Sequence, residues 1–293
     1  MELCFEQLIS RALVSSLSGV AIFGVIFGAA APAPAAEAKR VEIIAHRGAS
    51  HDAPENTIAA FELAWGQGAD GIEGDFYLTA DGHIVCIHDR TTKRTTGGEV
   101  DLDVQKTTLA ELRQLDVGRW KGEQFAGQRI PTLQEVLALV KPGKKSYLET
   151  KSGPEIVEPM RRIIANSSLP PEQIVVIAFN ADTVAETRRL LPQLKVYWLT
   201  SYRRNDETGV WTPTLDQVLA TLDQSNAHGL NTNANLNIVH EAFVAALREK
   251  GHEFHAWTIN DGELARRFRD LGVDSITTDR PGWLREQLNM EKP

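Results

Sequence analysis

From residue 41 onward, short runs rich in β-branched and apolar residues alternate with stretches in which apolar residues return every three or four positions. The first pattern predicts buried strands and the second amphipathic helices. Eight strand segments are expected, over 41–48, 70–89, 146–151, 173–179, 195–200, 227–233, 253–260 and 273–279. Helical spacing falls between them over 57–67, 133–140, 181–191, 215–223, 239–250 and 262–271. Such alternation builds βαβ units around a parallel sheet, and eight strands suffice to close an α/β barrel of the (β/α)8, or TIM, type. An open doubly wound sheet is the alternative arrangement of the same units. The alternation breaks once, over 91–127, a polar segment rich in Thr, Gly and Asp and helical only around 109–115. It is expected to be a small insertion after the second strand region.

The chain has 293 residues, and α/β barrels use about 250 as one unit, so 39–293 is expected to form one catalytic domain. A formal charge of −8 argues against a partner held by general attraction to nucleic acid. The first forty residues differ in character. An apolar, small-residue run over 12–31 is followed by APAPAAEA, with small-x-small sites ending at Ala35 and Ala38. Residues 1–38 are therefore expected to be a signal peptide directing the protein to the periplasm or outside, with no stable membrane insertion after cleavage. An uncleaved anchor is the alternative, because the run approaches the roughly 20 residues that span a bilayer. Of the two cysteines, Cys4 lies in this segment, which leaves Cys86 alone in the apolar run IVCIH without an internal disulfide partner.

Ionisable residues concentrate where the strands end, the face on which such barrels place their chemistry. His46 and Arg47 end the first strand, Glu73 and Asp75 lie in the second region, and His88 and Asp89 close it. Glu149 and Lys151 end the third, while Trp257 and Asp279 belong to the last two. Glu73 and Asp75, two apart, point to one side of a strand. With Glu149 they offer three oxygen donors to one hard divalent cation, Mg²⁺ or Ca²⁺ rather than zinc. Ion pairs with Arg47 and Lys151 are the other reading of these acids. His46 and His88 form an imidazole pair suited to proton transfer near neutral pH. Arg47 and Lys151 suit non-bridging phosphate oxygens. Trp257 fits a pocket wall or the core. His228, His240, His252 and His255 receive no catalytic assignment.

In order, the segments AHRGAS, PENT, GADGIEGDFYLTADGHIVCIHD, RIPTLQEVL, YLETK and WTIN…GVDSITTDRP resemble glycerophosphodiester phosphodiesterases, over about 42–284. The resemblance implies a barrel with a small insertion, metal ligation by Glu73, Asp75 and Glu149, and catalysis by His46 and His88. It further implies phosphate contacts from Arg47 and Lys151, Glu55 and Asn56 near the first histidine, and Asp279 supporting the site from beneath. The implied reaction is metal-dependent hydrolysis of small glycerophosphodiesters to an alcohol and glycerol 3-phosphate. The glycerol 2-hydroxyl is a candidate internal nucleophile. Two rivals stand beside it. One is a phospholipase D-like barrel cleaving lysophospholipids or sphingomyelin, and the other an exported binding protein without activity.

Overall fold

The computed structural model describes residues 40–291, so the expected leader lies outside the described residues. In chain order the strands are β1 (Glu42–Ala45), β2 (Gly71–Leu78), β3 (Ile84–Cys86), β4 (Lys145–Thr150), β5 (Ile174–Ala178), β6 (Lys195–Thr200), β7 (Arg203–Arg204), β8 (Trp211–Thr212), β9 (Gly229–Asn233), β10 (Glu253–Trp257) and β11 (Ser275–Thr278). The helices are α1 (Ile58–Gly66), α2 (Leu109–Leu112), α3 (Leu133–Ala138), α4 (Val157–Ala165), α5 (Ala181–Leu190), α6 (Leu215–Ser225), α7 (Glu241–Glu249), α8 (Gly262–Asp270) and α9 (Pro281–Gln287).

Eight strands pair in parallel in the order β1-β11-β10-β9-β6-β5-β4-β2, and β1 pairs with β2 as well as β11. That second pairing closes the sheet into a (β/α)8 barrel. It removes the open doubly wound alternative, whose edge strands would have only one neighbour. The two-residue side-chain period sorts every barrel strand. Ile43, Ile72, Leu148, Val176, Val196, Leu230, Phe254 and Ile276 face outward into the main core beneath the helices. Ile44, Tyr147, Val175, Ile177, Tyr197 and Leu199 form a separate apolar layer inside the barrel, with Trp257 packed on it. One step further along the same faces come His46 and Glu149, and one more brings Lys151, so the active face continues the inner layer.

Several local features follow from particular residues. Thr57, Thr132 and Thr214 cap α1, α3 and α6, each accepting a backbone N–H with its hydroxyl. The periodicity leaves α4 unforeseen because Pro159 interrupts it. In the fold Pro159 sits in the first turn, where its missing N–H removes no intrahelical bond. The second strand region is two strands, since the turn at 79–83 sends β3 back antiparallel to β2, with Phe76 opposite Cys86. β7 and β8 form a small antiparallel hairpin, also unforeseen.

The segment after β3 carries α2, short 3-10 turns and its own core of Tyr77, Val85, Ile87, Val104, Leu112, Val117 and Ile130. Leu109 and Leu115 pack against that core, so the hydrophobes of the interrupting segment serve its own folding. Among the described residues, no helix is long and apolar enough to cross a membrane.

Candidate active site

At the C-terminal mouth of the barrel, a cavity of about 140 Å³ is lined on one side by His46, Arg47, Glu73, His88, Glu149 and Lys151. Ile177, Phe179, Leu199 and Trp257 line the other side. All eight residues expected to make metal, proton-transfer or substrate contacts thus converge here, with Asp75 buried directly behind the acids.

Ligand oxygens of Glu73, Asp75 and Glu149 lie within 4.8 Å of one another, and all three side chains are buried. In register, Asp75 of β2 lies opposite Glu149 of β4. Burial, reinforced by Asp75 and Glu149, pushes the Glu73 carboxyl well above its ordinary 4.5. Burial and Asp75 likewise raise Glu149, against the pull of Lys151. Asp75 moves the other way, because Lys151 and Arg47 outweigh its burial. Glu73 Oε2 accepts the backbone N–H of Arg47 at 2.9 Å, while the buried Oε1 has no hydrogen-bond donor. Lys151 Nζ stands 2.6 Å from Glu149 Oε1 and 3.3 Å from Asp75 Oδ1, and Arg47 Nε 3.2 Å from Asp75 Oδ2. The ion-pair reading of the acids therefore holds in part. Yet three acidic side chains still outnumber the two cations reaching them, and the buried Glu73 Oε1 is an acceptor without a donor. A hard, oxygen-seeking cation fits this donor set.

Both histidines are fixed through Nδ1. His46 Nδ1 lies 2.6 Å from Asp279 Oδ1, and His88 Nδ1 lies 2.7 Å from Asp89 Oδ1. Burial opposes ionisation of Asp279, but bonds from His46, Asn260 and Ser50 bring it down to about 2. Bonds from Arg94 likewise hold Asp89 at about 2, against a smaller burial effect and with help from His88. Ionised carboxylates only accept, so each Nδ1 must carry a proton and each Nε2 is left for chemistry. Burial, followed by the charges of Lys151 and Arg47 against that of Asp75, lowers His88 below the ordinary 6.5. The neutral form of His88, with a lone pair on Nε2, is thus favoured.

The loop after β1 is built for close approach. Arg47, Gly48 and Asn56 all have positive φ, at 56°, 83° and 57°. A Cβ on Gly48 would lie 2.6 Å from the backbone carbon of Ala60, so only glycine fits against α1 there. Asn56 donates from Nδ2 to Asp75 Oδ2 at 2.8 Å and accepts the Asp75 N–H at 3.2 Å, locking that carboxylate. Glu55 accepts from Arg47 Nη1 at 3.0 Å.

The model of the Glycerophosphoryl diester phosphodiesterase family matches residues 46–283, from the first histidine to the start of the last helix. The chain belongs to this family. A glycerophosphodiester phosphodiesterase of Caldanaerobacter subterraneus subsp. tengcongensis is 38% identical over 246 residues, 82% of this chain and 94% of that protein. One from Bacillus altitudinis is 32% identical over 247 residues, 82% and 95% of the two chains. Among solved structures, a phosphodiesterase of Oleispira antarctica in complex with the product sn-glycerol-3-phosphate superposes with a TM-score of 0.73. It is 28% identical and covers 85% of this chain and 96% of its own. The chain is accordingly a phosphoric diester hydrolase, and the inactive binding-protein alternative falls.

As a family member the chain shows site features beyond those expected from its sequence. Phe179, 45% exposed, meets Trp257 edge-on at 5.7 Å, extending the apolar wall to the mouth. Trp257 also donates from Nε1 to the Asn231 carbonyl at 3.2 Å, so it serves both wall and core. Asn260 and Ser50 bind Asp279, while Arg94 binds Asp89. His255, in phase with Trp257 on β10, lies buried lower in the barrel against Tyr197 and Ser275 and takes no part in the cleft. Phe179 stands two residues beyond Ile177, so the alternation of β5 was the available signal for it. The others depend on contacts remote in sequence.

Proposed function

We propose that the chain hydrolyses glycerophosphodiesters to an alcohol and glycerol 3-phosphate, with His88 as general base and His46 as general acid. The carrying observation is one cleft in which two imidazoles, each held at Nδ1 by a carboxylate, face a buried acid triad flanked by Arg47 and Lys151. Glu73, Asp75 and Glu149 would hold one Mg²⁺ or Ca²⁺, which when bound supplies Lewis-acid polarisation of phosphoryl oxygen. Arg47 and Lys151 take the charge of the phosphate, Arg47 braced by Glu55. His88 Nε2 removes the proton of the attacking hydroxyl, and His46 Nε2 returns one to the departing alkoxide. The glycerol 2-hydroxyl is the attacking group, giving a cyclic phosphate that water opens. Absence of a cyclic species by phosphorus NMR, with solvent oxygen entering in the first displacement, would exclude that route.

A second reading has its own support. The apolar wall of Ile177, Leu199, Trp257 and exposed Phe179 suits an apolar substituent, so lysophospholipids are a candidate second substrate class. The composition of 12–31 and its small-x-small sites support export, and N-terminal sequencing of the mature protein should start after Ala35 or Ala38. The deciding assay uses chelator-stripped enzyme with glycerophosphocholine, glycerophosphoethanolamine and lysophosphatidylcholine, restoring Mg²⁺ or Ca²⁺ separately. Turnover of the first two on restoration is expected. Hydrolysis of none under any condition would overturn the proposal.

A further inference from the structure

Arg94 is the first basic side chain of the interrupting segment to turn back onto the site, and its three guanidinium nitrogens are all engaged. Nη1 donates to Glu55 Oε2 at 2.7 Å and Nη2 to Glu55 Oε1 at 2.8 Å. Nε donates to Asp89 Oδ2 at 2.7 Å, and Nη2 reaches Asp89 Oδ1 at 3.0 Å. The two carboxylates it joins are those that hold the working groups. Glu55 Oε1 also accepts from Arg47, and Asp89 Oδ1 is the partner of His88 Nδ1.

We propose that Arg94 is a positioning residue that locks Arg47 through Glu55 and His88 through Asp89, coupling phosphate binding to proton transfer. This rests on the roles proposed above for Arg47 and His88. Asp89 is about one-third exposed, so without Arg94 its carboxylate is free to rotate and release the imidazole. Glu55 would keep Arg47 as its one cation, and that pair would lose the wall that fixes its direction. A planar fork is required, because one donor group must meet four carboxylate oxygens on two residues; the point charge of lysine cannot do this.

The backbone beneath Arg94 is rigid enough for the task. Thr92 is fully buried, its hydroxyl donates to the Val100 carbonyl at 2.9 Å, and it accepts the Leu102 N–H at 3.0 Å. The Thr92 carbonyl in turn receives the Thr96 hydroxyl at 3.1 Å. The interruption in the barrel pattern thereby acquires a purpose, since it delivers a second guanidinium beside that of Arg47.

The test is a double-mutant cycle on the cation-supplied enzyme with glycerophosphocholine as substrate. Arg94→Ala should lower kcat by about 10- to 100-fold, the scale of a misplaced catalytic group, and raise KM. Arg94→Lys should recover only part of either loss, and added guanidinium should partly rescue Arg94→Ala. In a His88→Ala background the kcat loss caused by Arg94→Ala should shrink below about 3-fold, because the proton-transfer group it positions is gone, while the rise in KM through Glu55 and Arg47 should persist. Unchanged kcat and KM in both Arg94 variants would overturn the proposal. So would an equal kcat loss with and without His88, which would show action by another route. Near-normal turnover in His88→Ala alone would instead refute the assignment of His88. Should Arg94→Ala fail to fold, Arg94→Lys with unimpaired kcat and KM would refute the proposal by itself.

Discussion

Replacing Asp279 by Asn isolates the contribution of one second carboxylate to proton transfer, and the geometry dictates why Asn cannot substitute. Asp279 Oδ1 accepts from His46 Nδ1 and Ser50 Oγ, and Oδ2 accepts from Asn260 Nδ2. Asn260 cannot turn over to help, because its Oδ1 already accepts from Thr278 Oγ1 and the Asp279 N–H, both at 2.9 Å. An Asn at 279 therefore sets a donor against Asn260 or against His46, and the latter drives the imidazole toward the wrong tautomer. The carboxylate is held at about 2 instead of 3.8, which at ~1.4 kcal/mol per tenfold corresponds to ~2.5 kcal/mol favouring its charged form. Solvent reaches nearly a third of the side chain, so that figure is an upper limit. Converted to rate, Asp279→Asn should lower kcat for glycerophosphocholine by about 5- to 60-fold with little change in KM. The same variant should lose little on a glycerophosphoryl p-nitrophenyl ester, whose departing phenolate needs no proton. Equal losses on both substrates would refute His46 as the acid, and wild-type kcat on glycerophosphocholine would refute the role of Asp279.

Three further outcomes are expected. His88→Ala should reduce turnover at least about 100-fold, and the wild-type kcat/KM should fall on acidification only through a value below 6.5, since burial favours the neutral imidazole; a limb above 6.5 would contradict this. Glu73→Gln should leave the Tm in chelator nearly unchanged, because burial and its acidic neighbours disfavour the charged form of Glu73 when no cation is bound. It should also abolish the rise in Tm on adding Mg²⁺ or Ca²⁺, and calorimetric titration of both proteins checks this. Gly48→Ala should cost about 2–3 kcal/mol, from its φ of 83° and the clash with Ala60, and lower Tm by several degrees in thermal unfolding.

Local periodicity carried most of the fold. The eight β segments and six of the helices follow from spacings that a single strand or turn imposes on its own residues, and strand alternation alone set Glu73 with Asp75 and Glu149 with Lys151. Pro159 hid α4, because a proline reads as a breaker unless its place in the first turn is known. What determined the chemistry lay further apart. His46 and Asp279 are separated by 233 positions and meet only because β1 pairs with β11 to close the barrel. His88 ends no barrel strand at all; the antiparallel return of β3 carries it back, with the Ile87 N–H bonded to the Asp75 carbonyl. Arg94 in a polar loop looks like any solvated cation until Glu55 and Asp89 are brought beside it. Sequence by itself determined which residue types stand at the strand ends, because the side-chain period is a property of the local backbone. Only the closed barrel decided which of them share a hydrogen bond, because that depends on strand order and register, which join residues no local pattern connects.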